Sequence, residues 1–524
     1  MQVLSRVEES SALLRVLRGR VAAMAAGAAA LTLIGCASHP VGPDYQLPAQ
    51  ALVRAPAAQA AFLATSGNAA DADGDAIFVA TDLPTHWWHL YEDPQLDALI
   101  EQALAQNTDL RVAAANLERV QASETEAEDA DRPKLAVSGG PSYGHISGLQ
   151  ELAPGYEPPS RLNYSAGVSL SYQLDVVGQI RRGIEAASAD SAAAQAAYDL
   201  VRVNIAASTA RAYAGVCSAG LALRSAAHSI ELQQQAVQVA AKLQQAGRVG
   251  SNDVARAQGQ LEQLQAVLPA LQAQRHSGLF RLATLLGLPP QQFPAQVADC
   301  AQPPRVASAL PVGDGAALLR RRPDVRQAER ELASATARIG VATGELYPKV
   351  TLGLSAASAG PSNDFAGKDT FAWSLGPLIS WTIPNTGAVR ARIAQSEAQS
   401  RASLARFDGT VLTALRETET ALDAYAQELQ RHAALERARA AAATVAEQAR
   451  RLYTGGKSGY LEALDAERSL AASDAALASS DGQLADQQIA LFLALGGGWE
   501  RAGVAGAGAS AAGLSVAAPS APRG

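Results

Sequence analysis

Several short stretches of this 524-residue chain carry residue types that binding or catalysis uses. Gly455-Gly456-Lys457-Ser458 has the ending of a phosphate-cradling loop. Such a loop needs a further glycine five positions upstream and a preceding strand to aim its backbone N–H groups. Arg451 stands at that position, and no strand pattern precedes it. His86-Trp87-Trp88-His89 offers two imidazoles, but no nearby cysteine or second histidine cluster completes a ligand set, so no metal is expected. A packing or interfacial role in an N-terminal arm fits it better. The acidic run 124–131 reads as a solvated face or an entrance. Leu461, Asp465 and Arg468 are spaced four and three apart and share one helix face. On residue type alone, Asp465 and Arg468 are a solvated pair of little energetic weight. No nucleophile, base and orienting group fall into a usable set, so no enzyme is expected.

Composition agrees. The chain is 48% hydrophobic, too apolar for disorder, and too rich in helix formers for an all-β fold. Its net charge of −7 gives no basic field for nucleic acid.

The N-terminus has Arg15, Arg18 and Arg20 before an apolar run, 21–34, that is too short to span a bilayer comfortably. A basic region, an apolar core and small residues before a cut site make a secretory signal. Leu33-Ile34-Gly35-Cys36 resembles a bacterial lipobox. That resemblance implies a signal peptide over 1–35 and a covalent lipid on Cys36 as the sole attached group; an ordinary signal peptide is the alternative. In lipoproteins of this kind a residue other than aspartate after the cysteine, here Ala37, permits outer-membrane sorting. Cleavage would leave a mature charge of −9 and remove both methionines, Met1 and Met24, which argues against a thioether path for copper(I).

The elements that position these residues occur twice. Asp109-Leu110-Arg111 matches Asp324-Val325-Arg326, and Arg132-Pro133-Lys134 matches Tyr347-Pro348-Lys349, at an offset of 215. Gly178, Arg181, Leu243, Gly247-Arg248 and Leu286-Gly287 match Gly387, Arg390, Leu452, Gly456-Lys457 and Leu495-Gly496 at an offset of 209. Glycines and apolar positions in step over so long a stretch indicate two copies of one unit. They cover 93–287 and 314–496, joined by a Pro-rich linker, 288–313. The segment 36–92 precedes them and a low-complexity tail, 497–524, follows.

Each copy reads helix, helix, strand, strand, long helix, return helix. Asp93-Pro94, Asn107-Thr108, Asp314 and Arg322-Pro323-Asp324 are helix starts. Residues 180–246 lack proline and carry apolar residues at three and four, a helix of roughly 100 Å if unbroken. Residues 389–454 form its partner, and glycine turns end both. Pro269 predicts a kink in the first return helix that Ala478 does not impose on the second.

The intervening segments alternate. Phe371, Trp373, Leu375, Ile379, Trp381 and Ile383 share one face, against Ser374, Gly376, Ser380 and Thr382; Pro377 falls on the apolar side. Val168, Leu170, Tyr172 and Leu174 oppose Gly167, Ser169, Ser171 and Gln173, and 135–146 and 350–359 supply two more strands. Apolar outward and small or polar inward over about ten residues is the membrane-barrel pattern; a soluble sandwich with one wet face is the alternative. Four strands cannot close a barrel, and lipid forbids open edges. Three chains would supply twelve strands, continued by a tube of long helices.

These residues resemble a TolC-type outer-membrane efflux channel of the NodT and OprM-like lipoprotein subgroup. The resemblance rests on the lipobox, Val41-Gly42-Pro43-Asp44-Tyr45, Leu319-Arg320-Arg321-Arg322-Pro323-Asp324-Val325, Tyr460-Leu461 through Leu464-Asp465-Ala466, and Leu495-Gly496-Gly497-Gly498-Trp499. It implies a mainly α chain with a transmembrane β-barrel: a homotrimer whose twelve-stranded barrel continues into a periplasmic α-helical barrel. It also implies a periplasmic adaptor and an inner-membrane pump of the resistance-nodulation-division class as partners, and outer-membrane lipid around the strands. The function implied is the passive, gated exit duct of a three-part pump for small molecules. A lipid-anchored periplasmic scaffold and a protein-secretion channel are the alternatives.

By the same resemblance Leu461 would form an apolar constriction, and Asp465 an acidic ring restrained by Arg468. Within the repeat, Asp253 matches Glu462 and Arg256 matches Asp465, which would place Arg256 and Asp465 alternately around the aperture. The family also locks with a tyrosine that reaches the position of Asp253, and Tyr453 fits. Its arginine partner falls at Ser458, beside Lys457, a departure from the family pattern. Cys217 lies roughly 45 Å up the helix from Gly247, and Gly287 roughly 55 Å up from Gly250, with the linker to Cys300 beyond. The two thiols can reach similar height in an oxidising compartment. A Cys217–Cys300 disulfide is expected, with two separate buried thiols as the alternative.

Overall fold

A computed structural model describes residues 40–66, 76–145, 147, 154–155, 157–383 and 386–499. Cys36, the signal region and most of the C-terminal tail lie outside the described residues. The elements are β1 (Phe78–Val79), α1 (Pro94–Gln106), α2 (Thr108–Asp129), β2 (Lys134–Gly144) and β3 (Arg161–Leu174), then α3 (Gln179–Gln245), α4 (Ser251–Gln265), α5 (Leu268–Leu285) and β4 (Leu310–Pro311). There follow α6 (Gly315–Arg321), α7 (Pro323–Gly344), β5 (Lys349–Pro361), β6 (Phe371–Ser380), α8 (Thr386–Thr454) and α9 (Tyr460–Leu495).

The duplication extends to individual hydrogen bonds. α2 and α7 are 22 residues each, and α3 and α8 run to 67 and 69. Both long helices end in the same turn. Gly247 and Gly456 adopt φ +69°, Arg248 N–H donates to the Leu243 carbonyl at 2.9 Å, and Lys457 N–H donates to the Leu452 carbonyl at 2.8 Å. This left-handed glycine cap satisfies carbonyls that the helix end leaves open. It also accounts for the phosphate-loop resemblance: the glycines close a helix rather than cradle an anion. The return helix of the first copy is broken at Ala266–Val267, with Pro269 in the first turn of α5, while α9 is continuous through Ala478. Proline removes the N–H that the interior ladder needs, so the break sits where the sequence places it.

The chain divides into two compact units. One comprises Met1–Tyr45, Ser123–Ser188 and Ser334–Ser400; the other comprises Gln46–Ala122, Ala189–Ala333 and Arg401–Gly524. The first unit contains a four-stranded antiparallel sheet of order β2-β3-β5-β6. The second contains the largest core. Trp87 and Trp88 are buried there, with Trp87 stacked on Phe492 at 4.9 Å between ring centroids, so the His86–His89 stretch packs this core. His89 Nδ1 lies 2.9 Å from Asp97. Among the described residues no group of three or more ligating side chains could hold a metal.

Candidate functional site

The sheet has two chemically distinct faces. Its register aligns Leu135, Leu170, Leu354 and Leu375 in one cross-strand row, and Val137, Val168, Ala356 and Trp373 in the next. Leu352 with Pro377, and Val350 with Ile379, continue this face. The opposite face carries Ser138, Gly167 and Ala357 in one row, then Ala136, Ser169, Ser355 and Ser374, with Leu378 the one large apolar residue on β6 there. Side chains alternate along a strand, so one residue of slip would exchange the faces. Among the described residues nothing covers the apolar face: Trp373 is 68% exposed and Leu375 64%. β2 and β6 each pair on one side only. No described helix is long and apolar enough to cross a membrane.

The hairpin ends carry the residues named for a closure. Tyr453 and Tyr460 pack at 5.3 Å between ring centroids in a small core with Ala240, Ala257, Ala463 and Leu464. The Tyr453 hydroxyl is buried without a hydrogen-bond partner, and burial, then the nearby Asp253 charge, push its pKa up. Asp253 lies 3.7 Å from Arg256, one turn along α4. Leu461 is 58% exposed, and Glu462 and Asp465 are exposed beside it. Arg468 does not bond Asp465; its Nε donates to Oε1 of Gln260 at 2.6 Å, tying α9 to α4. Sequence spacing put Arg468 near Asp465 along one helix, but a neighbouring helix offers a largely buried amide that spacing does not reveal. The Ser458 hydroxyl is likewise buried and unpartnered. Arg450 and Glu467, 3.4 Å apart, link α8 to α9, a pairing that no sequence pattern marks. Burial raises the Glu467 pKa despite Arg450.

Two junctions fix the helices that flank these sites. In the first copy, Asn107 Nδ2 donates to the Leu285 carbonyl at 2.9 Å while its Oδ1 caps α2 through the N–H groups of Asp109 and Leu110. At the matching place in the second copy, Arg322 Nη1 donates to the Ala494 carbonyl at 2.8 Å, and its fork grips Asp324 and Glu417. Leu285 and Ala494 are themselves repeat partners. One device, a polar side chain sealing the end of the return helix, is thus executed by an amide in one copy and a guanidinium in the other.

In the unit that holds the sheet, Arg182 is buried at the start of α3. It donates to the carbonyls of Val41 and Gly42 and to Asp44 at 2.6 Å, which docks the Val41–Asp44 motif. Cys217 and Cys300 are joined as a disulfide. Gly220, one turn above Cys217, lets the linker approach: a Cβ there would stand 2.0 Å from the Cys300 carbonyl oxygen.

The family described as Outer membrane efflux protein matches residues 99–288 and 316–497, one segment per copy. The chain belongs to the outer membrane efflux protein family. It is similar to Nodulation protein T of Rhizobium leguminosarum bv. trifolii, 31% identical over 91% of this chain and 97% of that protein. It is also similar to the solvent efflux pump outer membrane protein SrpC of Pseudomonas putida, 30% identical over 90% and 97%. The solved outer-membrane channel OprN superposes with a TM-score of 0.80 at 33% identity, covering 88% of this chain and 99% of that one. This efflux protein is therefore a duplicated, mainly helical outer-membrane channel with short strands, and not an enzyme.

Proposed function

We propose that three copies of this chain close their sheets into a twelve-stranded barrel and form the exit duct of a tripartite pump, with a periplasmic adaptor and an inner-membrane pump of the resistance-nodulation-division class. The observation that carries this reading is a sheet with one apolar and one small, polar face, and with both outer edges unpaired. Lipid leaves no backbone group unsatisfied, so such edges must be sealed by neighbours. The polar face then lines the lumen, and the apolar face meets lipid. Cys36 carries the lipid anchor. Transport needs no covalent step from the protein, because a duct supplies a path and a closure.

The closure lies at the hairpin ends. Leu461 narrows the aperture, Asp465 and Arg256 alternate around it, and Asp253, Glu462, Arg468 and Tyr453 hold the helices that carry them. The unpartnered Tyr453 hydroxyl supports this reading, since a buried donor costs free energy until it finds an acceptor. Small molecules are the cargo class, as the name of the solvent-pump relative suggests. The absence of methionine after residue 24 speaks against a thioether relay for soft metal ions.

The duct is tested by conductance of the purified protein in planar bilayers, alongside its oligomer on semi-native gels. Trimers that conduct support it; a monomer that passes no ions overturns it. Asp465→Ala combined with Arg256→Ala raises conductance if these residues close the aperture, and an unchanged trace rejects the gate assignment alone.

A further inference from the structure

The two outer edges of the sheet continue into helix ends of opposite charge. α2, which leads into β2, closes with Glu124, Glu126, Glu128 and Asp129, and Asp131 follows. These acids sit at a helix C-terminus, where the backbone dipole disfavours negative charge. α8, which leaves β6, opens with Arg390 and Arg392 and has no acidic residue in its first turn. Those bases lie in the second turn of α8, with no acidic side chain before them on the helix. Arg390, Glu126 and Glu128 have no ion-pair partner among the described residues. Arg392 pairs with Glu345 but stays half exposed, and Asp129 has only the neighbouring Arg132 at 3.3 Å.

The chain contains its own template for what happens when such ends meet. Between β3 and β5, the start of α3 packs on the end of α7. Gln179 Nε2 donates to the Val341 carbonyl at 3.0 Å. A Cβ at Gly344 would stand 2.7 Å from the Gln179 Cβ, and one at Gly340 would stand 2.6 Å from the Arg182 Cγ. By the repeat correspondence, Ala388 takes the place of Gln179, and Arg390 that of Arg181. On the other side, Thr125 takes the place of Gly340, Glu126 that of Val341, and Asp129 that of Gly344. Closing β6 onto the β2 of another copy therefore repeats this junction with a different filling: an acidic helix end against a basic helix start.

Resting on the trimeric reading above, we propose that the seam between neighbouring copies is an electrostatic lock, in which Glu126, Glu128 and Asp129 of one chain dock against Arg390 and Arg392 of the next. Arg390, Glu126 and Glu128 then gain counter-charges that no described residue of their own chain supplies. The lock also sets polarity. At the matching junction within one chain, the end of α7 carries Gly340, Val341 and Gly344 where α2 carries Thr125, Glu126 and Asp129, so the acidic end distinguishes the seam between copies from the internal junction.

Two measurements on the full-length protein in outer-membrane extracts test this. In the first, Asp129→Cys with Ala388→Cys is treated with oxidant, and the linked peptides are identified by mass spectrometry. A crosslink between chains is expected, because the template puts the matching Cβ positions in contact. In the second, Glu126→Lys with Asp129→Lys, and separately Arg390→Glu with Arg392→Glu, are followed by thermal dissociation of the trimer. Each pair loses the trimer band at temperatures where the wild-type band persists, and combining all four restores it. Restoration also shows that the single-side variants fold. A double-cysteine variant that trimerises but yields no crosslink overturns the placement. A crosslink with charge reversals that leave dissociation unchanged overturns the lock. A wild-type chain that never trimerises instead overturns the duct itself.

Discussion

The second-copy junction at Arg322 offers the sharpest test of how this efflux protein is held together. Its side chain is 9% exposed and bonds the Ala494 carbonyl at 2.8 Å, both Asp324 oxygens at 2.7 and 3.0 Å, and Glu417 at 2.8 Å. Arg322→Ala leaves a helix-end carbonyl with only the weaker Thr418 hydroxyl at 3.3 Å, and leaves Asp324 with no guanidinium to offset its charge. Breaking a buried ion pair from one side costs about 3–5 kcal/mol. Glu417 is 41% exposed and water can take over part of its charge, so the loss falls near the lower end, about 3 kcal/mol. The first-copy equivalent, Asn107→Ala, removes a helix cap and one neutral bond, about 2 kcal/mol. Arg451→Ala breaks only a solvated pair with Glu447 and leaves stability almost unchanged. Urea denaturation of the three variants in detergent, followed by circular dichroism, orders them as Arg322, Asn107, Arg451. If Arg322→Ala unfolds at the same urea concentration as Arg451→Ala, the junction is not a structural clamp.

Further outcomes follow from single contacts. Gly220→Ala forces the linker off α3 and prevents the Cys217–Cys300 bond, so peptide mass spectrometry without reductant shows free thiols; a retained bond means that the linker can approach by another path. Burial raises the Glu467 pKa, so the folded chain holds that proton more firmly than the unfolded one. The associated stability is complete below the ordinary carboxylate range and is lost as pH rises through the raised value. Glu467→Gln therefore gains about 1 kcal/mol over wild type at neutral pH. The gain shrinks toward about pH 4 in urea titrations, and an equal gain at every pH contradicts the assignment. Cys36→Ser abolishes incorporation of labelled palmitate into the mature chain, whereas label retained in that variant moves the anchor elsewhere.

Much of the fold is legible in short-range pattern. The long helices expected over 180–246 and 389–454 are found as Gln179–Gln245 and Thr386–Thr454, since helix periodicity and closing glycines act within a few residues. The strands follow from alternation, and the break before Pro269 from a missing donor. The duplication was visible as matched glycines and matched starts, because both copies solve the same local problems. The hairpin ends were legible only in part. Resemblance names Tyr453 and Leu461, and resemblance together with the repeat names Asp465, but neither reaches the grip of Gln260 on Arg468.

What the sequence determined alone, then, is the set of elements, their order, their two-fold repetition and the two-faced character of the strands. Each of these depends on neighbours at one, two, three or four positions. Only the tertiary structure decided which distant partner each polar side chain takes: Arg182 with Asp44, Asn107 with Leu285, Arg322 with Ala494 and Glu417, Arg468 with Gln260. Such partners are many tens to hundreds of residues apart, and helix packing, not spacing along the chain, brings their atoms within hydrogen-bond reach.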